Sequence, residues 1–278
     1  MSAHLSNDNS GIFLPFYSCG KITHNLQMLS AKRKSNGQVV LANSESRSNA
    51  PFLCLECDAE VVLRTGSVRV NYFAHHSRSE CPYATGESES HRNCKMEIYH
   101  ALLRAPGVTD VALERSFGTN RADVFARINS VPVAIEVQIS VLSIETIIRR
   151  TEEYARKGIF VLWLPQWTPY LDGVRYSPRL WEKWVHAAYF GRVYYWLEGA
   201  KVAEYRFEPY LQRIGTFSFR NGNGKSPQKA AYSRPSKRYR QPTSGRELNL
   251  ASNFKGIIRS RWRSKHFVVP EAKIFIQC

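Results

Sequence analysis

The sequence predicts an α/β fold in which helices flank a mixed sheet, and three observations support this class. Candidate elements between residues 87 and 164 follow the order helix, three strands, helix, strand. The apolar run Ile159–Leu164 is typical of a strand buried on both faces. The composition, 43% hydrophobic and 12% aromatic, provides a sizeable core and excludes a largely disordered chain.

Each of these elements has a local signal. A helix over Glu87–Arg104 ends at Pro106-Gly107, and a second helix over Ser143–Lys157 has Ser143 as a candidate N-cap and Gly158 as its stop. The three strands between the helices are predicted over Val108–Glu114, Ala122–Ile128 and Val131–Ile139. Trp181–Leu197 is rich in Trp and Tyr and is expected to close this body by packing in its core.

The apolar segments are short. The longest run, Ile159–Leu164, is far below the roughly 20 residues that a membrane helix needs. The first 25 residues are polar and do not follow the pattern of a secretory signal. We therefore expect a cytoplasmic protein with no membrane partner.

The formal net charge of +16 indicates an anionic partner, and nucleic acid is the commonest one. Residues 201–278 hold 17 Lys and Arg against 4 Asp and Glu, whereas the first 200 residues are nearly balanced. We expect a basic appendage here, with a flexible basic linker or arm beyond Arg220. Its densest patch supplies four candidate nucleic-acid contacts, Arg259, Arg261, Arg263 and Lys265.

The same features predict a division of the chain into four parts. Residues 1–50 are expected to be a partly ordered segment that contributes an edge strand, and residues 201–278 are the basic region. Residues 51–86 form a small cysteine-bearing module built on a β-hairpin, with strands Val61–Arg64 and Val68–Tyr72 around a turn at Gly66. Residues 87–200 form the α/β body.

Cysteine spacing in residues 51–86 predicts a structural zinc site. Cys54 and Cys57 form a CxxC pair, and His75 and Cys81 complete the four N and S ligands that tetrahedral zinc prefers. His76 is an alternative to His75. Redox exchange by the CxxC pair is the other interpretation, but redox motifs usually open a helix beside a strand.

A pair of carboxylates lies on the predicted strands of the body. Glu136 and Gln138 share one strand face, and Asp123 lies beside Glu136 if the two strands pair. A Glu within so apolar a strand needs a partner, and two adjacent carboxylates attract Mg²⁺ or Mn²⁺.

The first helix of the body places Glu87, His91 and Lys95 four residues apart, so they form one polar stripe. Taken alone, such a stripe is more often a solvated helix surface than part of an active site.

Taken together, six motifs resemble the competence protein CoiA-like family over residues 50–200, in the family's order. They are the CxxC with Phe73-Ala74-His75 and Cys81, Glu87-Ser88-x-x-His91-x-x-x-Lys95, Arg121-Ala122-Asp123-Val124, Glu136-Val137-Gln138-x-Ser140, Arg150-x-x-x-Tyr154, and Trp163. The resemblance implies a restriction-endonuclease-like, PD-(D/E)xK-type nuclease domain over residues 87–200, preceded by a zinc-binding module.

The resemblance also implies roles for single residues. Asp123 and Glu136 are expected to bind the catalytic metal, and Gln138 occupies the position where the wider superfamily usually has Lys. We hypothesise that Lys95 supplies the missing charge. Glu87 is expected to help hold the metal or to position the helix, and His91 to bind metal, to act as a base or to be structural. Arg150 and Tyr154 are candidate phosphate contacts, with packing of this helix-surface pair on the sheet as the alternative. Arg121 is a candidate nucleic-acid contact.

The sequence therefore predicts a Mg²⁺- or Mn²⁺-dependent deoxyribonuclease that acts in DNA uptake, processing or defence and also binds Zn²⁺. DNA is the expected partner, with RNA as an alternative, and a homo-oligomer or a protein partner is left open. One rival is a non-catalytic nucleic-acid-binding module, which the Gln at position 138 favours. The other is a recombination accessory protein whose aromatic segment binds a partner.

Overall fold

The computed structural model describes residues 27–67, 69–76, 81, 87–218 and 228–278, which form a mixed α/β structure. The strands in chain order are β1 (Gln27–Met28), β2 (Ser30–Arg33), β3 (Val39–Leu41), β4 (Phe52–Leu53), β5 (Glu60–Arg64), β6 (Tyr72–His75), β7 (Val108–Ser116), β8 (Arg121–Ile128), β9 (Val131–Gln138), β10 (Phe160–Pro165), β11 (Val193–Glu198), β12 (Lys201–Ile214), β13 (Phe217–Ser218), β14 (Gln228–Lys229), β15 (Tyr232–Asn249), β16 (Phe254–Arg259), β17 (Trp262–Arg263), β18 (Val268–Val269) and β19 (Ala272–Gln277). The α-helices are α1 (Glu89–Leu103), α2 (Ile144–Arg156) and α3 (Leu180–Ala188), with 3₁₀ turns at Ala42–Ser44, Arg47–Asn49 and Pro169–Asp172.

The central sheet has six strands in the order β16-β19-β10-β9-β8-β7. β10 runs parallel to both β9 and β19, and the other pairs are antiparallel, so the sheet is mixed as predicted. Apolar side chains such as Ile135, Val161 and Leu162 are fully buried, which explains the continuous hydrophobic run in β10. The predicted helices and strands of residues 87–164 lie within one or two residues of the observed ones.

Two serines begin the helices that flank the functional region. Ser88 accepts a hydrogen bond from the His91 N–H at the start of α1, and Ser143 accepts one from the Thr146 N–H at the start of α2. The predicted N-cap of the second helix is therefore confirmed. Within the described residues, no helix combines the length and apolar character needed to span a bilayer.

A second six-stranded sheet, in the order β1-β6-β5-β4-β2-β3, carries the cysteine-bearing module. Residues 27–50 are ordered strands of this sheet, so the predicted boundary at residue 50 divides a single structural unit. The predicted hairpin is present between β5 and β6, but its second strand covers Tyr72–His75 rather than Val68–Tyr72. The Asn71 side chain and N–H make turn contacts with Gly66 and Asn43, which places the strand later; Val68 lies outside the described residues.

The basic C-terminal region is folded where the structure describes it, so the prediction of a flexible arm is wrong for residues 228–278. β19 occupies an interior position of the central sheet between β10 and β16. The predicted boundary at residue 200 falls within the β11–β12 hairpin. The charge and Pro content predict an arm, whereas the short apolar run Ile274–Ile276 is buried as a strand of the core.

Candidate functional site

The four predicted zinc ligands lie together at the end of the N-terminal sheet. The ligand atoms of Cys54, Cys57, His75 and Cys81 all lie within 4.8 Å of one another. The Cys54 and Cys81 Sγ atoms are 3.9 Å apart, close to the ~3.8 Å that a tetrahedron with Zn–S bonds of ~2.3 Å requires. The Cys57 Sγ lies 3.3 Å from the His75 Nε2. This donor set can hold a metal such as zinc.

The cysteine cluster is connected electrostatically to the rest of the chain. Burial raises the pKa of the Cys54 thiol to about 12, so a bound cation is needed to deprotonate it at neutral pH. Glu56, between the two CxxC cysteines, has a pKa raised by burial and opposed by the nearby Arg121 guanidinium. Arg121 belongs to β8, so one loop of the module is in electrostatic contact with the central sheet.

A cleft of about 620 Å³ opens between the start of α1, the start of β8, the end of β9, and α2. The lining residues that sequence analysis singled out are Glu87, His91, Lys95, Arg121, Asp123, Gln138 and Arg150. Helix α1 contributes the predicted polar stripe, which therefore faces the cleft instead of open solvent. Most of the predicted catalytic residues thus converge on one cavity.

Three residues in the cleft form a second group that can hold a metal. The ligand atoms of Glu87, His91 and Asp123 lie within 4.8 Å of one another. His91 lies between the two carboxylates, with Nδ1 2.7 Å from Glu87 Oε1 and Nε2 3.3 Å from Asp123 Oδ2. A hydrogen bond also fixes the Asp123 carboxylate to the sheet, because the Val137 N–H donates to Oδ2 at 2.9 Å.

Opposite charges stabilise the ionised forms in this group. Burial alone would lower the pKa of His91, but Asp123 and Glu87 raise it to about 10. Burial alone would raise the pKa of Asp123, but His91 and then Lys95 hold it well below its ordinary value. The cleft therefore contains ionised carboxylates that are balanced by protein cations.

Lys95 is the most buried cation of the cleft, with 1% of its surface exposed. Its Nζ lies 2.6 Å from Glu87 Oε1, 2.7 Å from Glu114 Oε1 and 3.9 Å from Asp123 Oδ1. Burial alone would lower the pKa of Lys95, but these carboxylates, led by Glu114, raise it above its ordinary value. The ammonium group is therefore held beside the candidate metal ligands as a permanent charge.

Glu114 is a buried partner of Lys95 that the sequence pattern did not single out. It is 1% exposed, and its Oε2 accepts hydrogen bonds from Leu29 N, Ser30 N and Ser30 Oγ at 3.0, 3.1 and 2.9 Å. Its other oxygen binds Lys95, so Glu114 connects the N-terminal sheet to the stripe of α1. The only sequence signal is a Glu at the end of a predicted strand, because its partners Ser30 and Leu29 lie 84 and 85 residues away.

Glu136 lies opposite Asp123, since Val124 pairs with Ile135 in the antiparallel register. Its carboxylate is already occupied, because Arg150 Nη2 lies 2.6 Å from both oxygens and Tyr154 donates to Oε1 at 2.5 Å. Burial raises the pKa of Glu136 above its ordinary value, while Arg150 opposes the rise. Asp123 and Glu136 thus do not form the open pair expected from the sequence, and metal binding by Glu136 stays a prediction.

The side chains that were predicted to contact nucleic acid differ in their burial and in their hydrogen-bond partners. Tyr154 is fully buried and donates to Glu136, so its predicted contact with phosphate is wrong. Arg259 is 9% exposed and donates to the Ala188 carbonyl at 3.2 Å, which likewise corrects its predicted role. Arg150 lines the cleft but is engaged with Glu136.

The positions of the other predicted contacts are as follows. Arg121 lines the cleft, and Arg261, Arg263 and Lys265 are exposed. The Gln138 side-chain amide donates to the Ser140 carbonyl at 2.7 Å at the rim of the cleft.

Two family models match this chain. "Competence protein CoiA, N-terminal domain" matches residues 39–84, which include the Cys/His cluster. "Competence protein CoiA, nuclease-like domain" matches residues 87–170, which include the cleft. Both predicted segments of the resemblance are thereby supported.

A comparison with single proteins points to the same family. The competence protein CoiA of Bacillus subtilis (strain 168) is 29% identical over 119 residues, which cover 42% of this chain and 30% of that protein. The chain thus matches less than a third of this relative's length. No solved structure matches the chain. The two domain matches, over residues 39–84 and 87–170, and this relative support a competence protein CoiA-like family for the chain.

Proposed function

We propose that this chain is a divalent-metal-dependent nuclease that hydrolyses DNA phosphodiester bonds in the cleft between α1 and α2. The observation that carries the proposal is the convergence of Glu87, His91 and Asp123 within 4.8 Å beside the buried Lys95. The match of residues 87–170 to a nuclease-like domain supports the same conclusion. The competence role of the relative makes incoming or processed DNA the expected substrate.

The donor set suits Mn²⁺ at least as well as Mg²⁺. Glu87 and Asp123 supply the oxygens that both ions prefer, whereas the imidazole of His91 is a better ligand for transition metals. A bound ion of this kind supplies a Lewis acid that polarises the scissile phosphate and favours ionisation of a water molecule. In the Cys/His cluster, a structural Zn²⁺ would brace the neighbouring module.

The protein residues have separate tasks around that ion. Asp123 and Glu87 would be the carboxylate ligands of the ion. The Val137 N–H fixes Asp123, and Lys95 holds Glu87 in place. Lys95 stabilises negative charge that develops on the phosphate, in the role that the wider superfamily gives to a Lys at the position of Gln138. Arg121 and the exposed Arg149 at the cleft contact the DNA backbone.

The proposal includes a restriction-endonuclease-like fold for the central region. The mixed sheet with α1 and α2 beside it is consistent with that class. The cleft lies where β9 ends, which is the edge at which open α/β sheets commonly bind ligands. In this arrangement the Glu136–Arg150 pair supports the floor of the site, and direct metal binding by Glu136 requires Arg150 to release one oxygen.

The proposal is tested by incubating the purified chain with linear, circular and single-stranded DNA in Mn²⁺, Mg²⁺ or EDTA. We expect metal-dependent cleavage that Asp123→Asn or His91→Ala reduces at least about 100-fold. Asp110→Asn is a matched control, because it removes an exposed carboxylate from β7. Cleavage that survives in Asp123→Asn and in EDTA would refute the site.

Lys95 requires its own comparison because it also holds Glu114 and Glu87. Lys95→Met should lower turnover at saturating metal in protein that is still folded by circular dichroism. Unaltered turnover would refute its catalytic role. A Gln138→Lys variant with greatly raised turnover would instead indicate that the site lacks a charge.

The absence of a Lys at position 138 also favours a second candidate function, a nucleic-acid-binding module that does not cleave. In that case DNA binding would need no divalent ion, and Asp123→Asn would leave affinity unchanged. No cleavage of any substrate, with binding intact in both proteins, is the outcome that selects this function.

A further inference from the structure

The β12–β15 hairpin extends beyond the body of the protein as a two-stranded ribbon. Leu211–Ile214 pair with Tyr232–Pro235, and beyond them β13 pairs with β14. Most residues of this part are exposed, and the exposed positions follow one another without alternation. Because successive residues point to opposite faces, neither face of the ribbon packs on the core. Leu211, for example, is 62% exposed although it is a large apolar residue.

The ribbon is strongly basic. The described residues 209–218 and 228–243 contain six Lys and Arg and no Asp or Glu; the basic residues are Arg213, Lys229, Arg234, Lys237, Arg238 and Arg240. All but Arg240 are exposed. Aromatic rings lie among them, with Lys229 over Tyr232 and Arg238 over Tyr239. Basic side chains with interleaved rings are typical of a nucleic-acid surface.

The base of the ribbon is anchored close to the cleft. Tyr176 and Arg240 exchange two backbone hydrogen bonds of 2.8 Å, which form an extra bridge to the body. Three residues later, Arg179 reaches the carbonyl of Ile139, a lining residue of the cleft, at 3.4 Å. Because three residues span at most about 10 Å, the ribbon base lies within roughly 20 Å of the cleft rim.

We infer that this ribbon is a DNA-binding arm that lies in a groove of double-stranded DNA while the cleft engages the same molecule. The part from Leu211 to Ser218 is about 27 Å long at ~3.4 Å per residue, which is most of one turn of B-DNA. The major groove of B-DNA admits a two-stranded ribbon, whereas the deep, narrow major groove of RNA does not. Duplex DNA is therefore the occupant that its shape and charge fit best. The inference rests on the proposed function only for the choice of a shared substrate.

The test measures binding in EDTA, so that it does not depend on cleavage. Arg213→Gln/Arg234→Gln/Lys237→Gln removes three exposed charges from the ribbon, and labelled duplex and single strands of equal length report affinity by fluorescence anisotropy. Loss of three phosphate contacts should lower duplex affinity roughly 100-fold near 0.1 M salt and reduce the salt slope by about 3. The single strand should lose much less.

Arg47→Gln/Arg64→Gln/Arg104→Gln is the matched control, because it removes the same charge from exposed positions elsewhere. The inference is overturned if both triple variants lose equal affinity, or if single-stranded DNA or duplex RNA loses as much as duplex DNA. Full duplex affinity in the ribbon variant would also overturn it, and would leave the charges as protection of an exposed sheet edge. A protein that fails to cleave but shows the ribbon effect would refute the proposed nuclease alone.

Discussion

Replacing Glu114 with Gln should destabilise the protein far more than an ordinary loss of a surface charge. The Glu114 carboxylate is buried, lies 2.7 Å from Lys95 Nζ, and accepts three further hydrogen bonds from Leu29 and Ser30. Removing one partner of a buried ion pair typically costs about 3–5 kcal/mol. Because Lys95 keeps Glu87 at 2.6 Å, we expect a loss near the lower end of this range. The amide of Gln also replaces one acceptor oxygen with a donor.

Asp110 offers a matched control on the same strand. It forms an ion pair with Arg115 at the same 2.7 Å distance, but both side chains are about 40% exposed. It also shares the positive φ of Glu114, at 52° against 51°. Asp110→Asn should therefore cost less than about 1 kcal/mol.

The assay is equilibrium urea unfolding of both variants, with the free energy of unfolding compared at neutral pH. The pH dependence gives a second readout. Although burial alone would raise it, Lys95 holds the pKa of Glu114 below its ordinary value of 4.5. The stability that its ionised form contributes is thus present above about pH 4.5 and is lost as the pH falls further. Equal losses in the two variants, or a wild-type advantage that grows below pH 4.5, would refute the reasoning.

Two further predictions concern the zinc cluster and the C-terminal basic patch. Cys57→Ser should lower the bound zinc measured by atomic emission from about one ion per chain and reduce the melting temperature, whereas the exposed Cys278→Ser should change neither; equal zinc in both would exclude the cluster. Arg259→Ala should lower the melting temperature by several degrees because three backbone contacts are lost, while exposed Arg261→Ala should leave it unchanged; the opposite ranking would restore Arg259 as a surface residue.

Much of the fold between residues 87 and 165 could be predicted from the sequence because its signals are local. The Ser143 cap, the Gly158 stop and the apolar run of β10 each depend on a few neighbouring residues. The Cys/His cluster and the polar stripe of α1 were likewise visible, because ligand spacing and helical periodicity are properties of short segments.

Other features were decided only by tertiary contacts. Glu136 looked like an open metal ligand, but the folded chain brings Arg150 and Tyr154 of α2 onto its carboxylate. Glu114 acquires its role from Ser30, which lies 84 residues earlier. Neither contact has a sequence signature, because charge pairing over such separations depends on which elements the sheet brings together.

The C-terminal region also combines a property that the sequence determines with a fold that only tertiary contacts decide. The sequence by itself determined its charge, and this charge predicts an anionic partner. Only the tertiary structure decided that β19 would enter the central sheet and that β12 and β15 would form a ribbon. Pairing between strands that are distant in sequence is set by register and by burial in the whole core. Backbone hydrogen bonds are the same for every sequence, so they do not specify which strands pair.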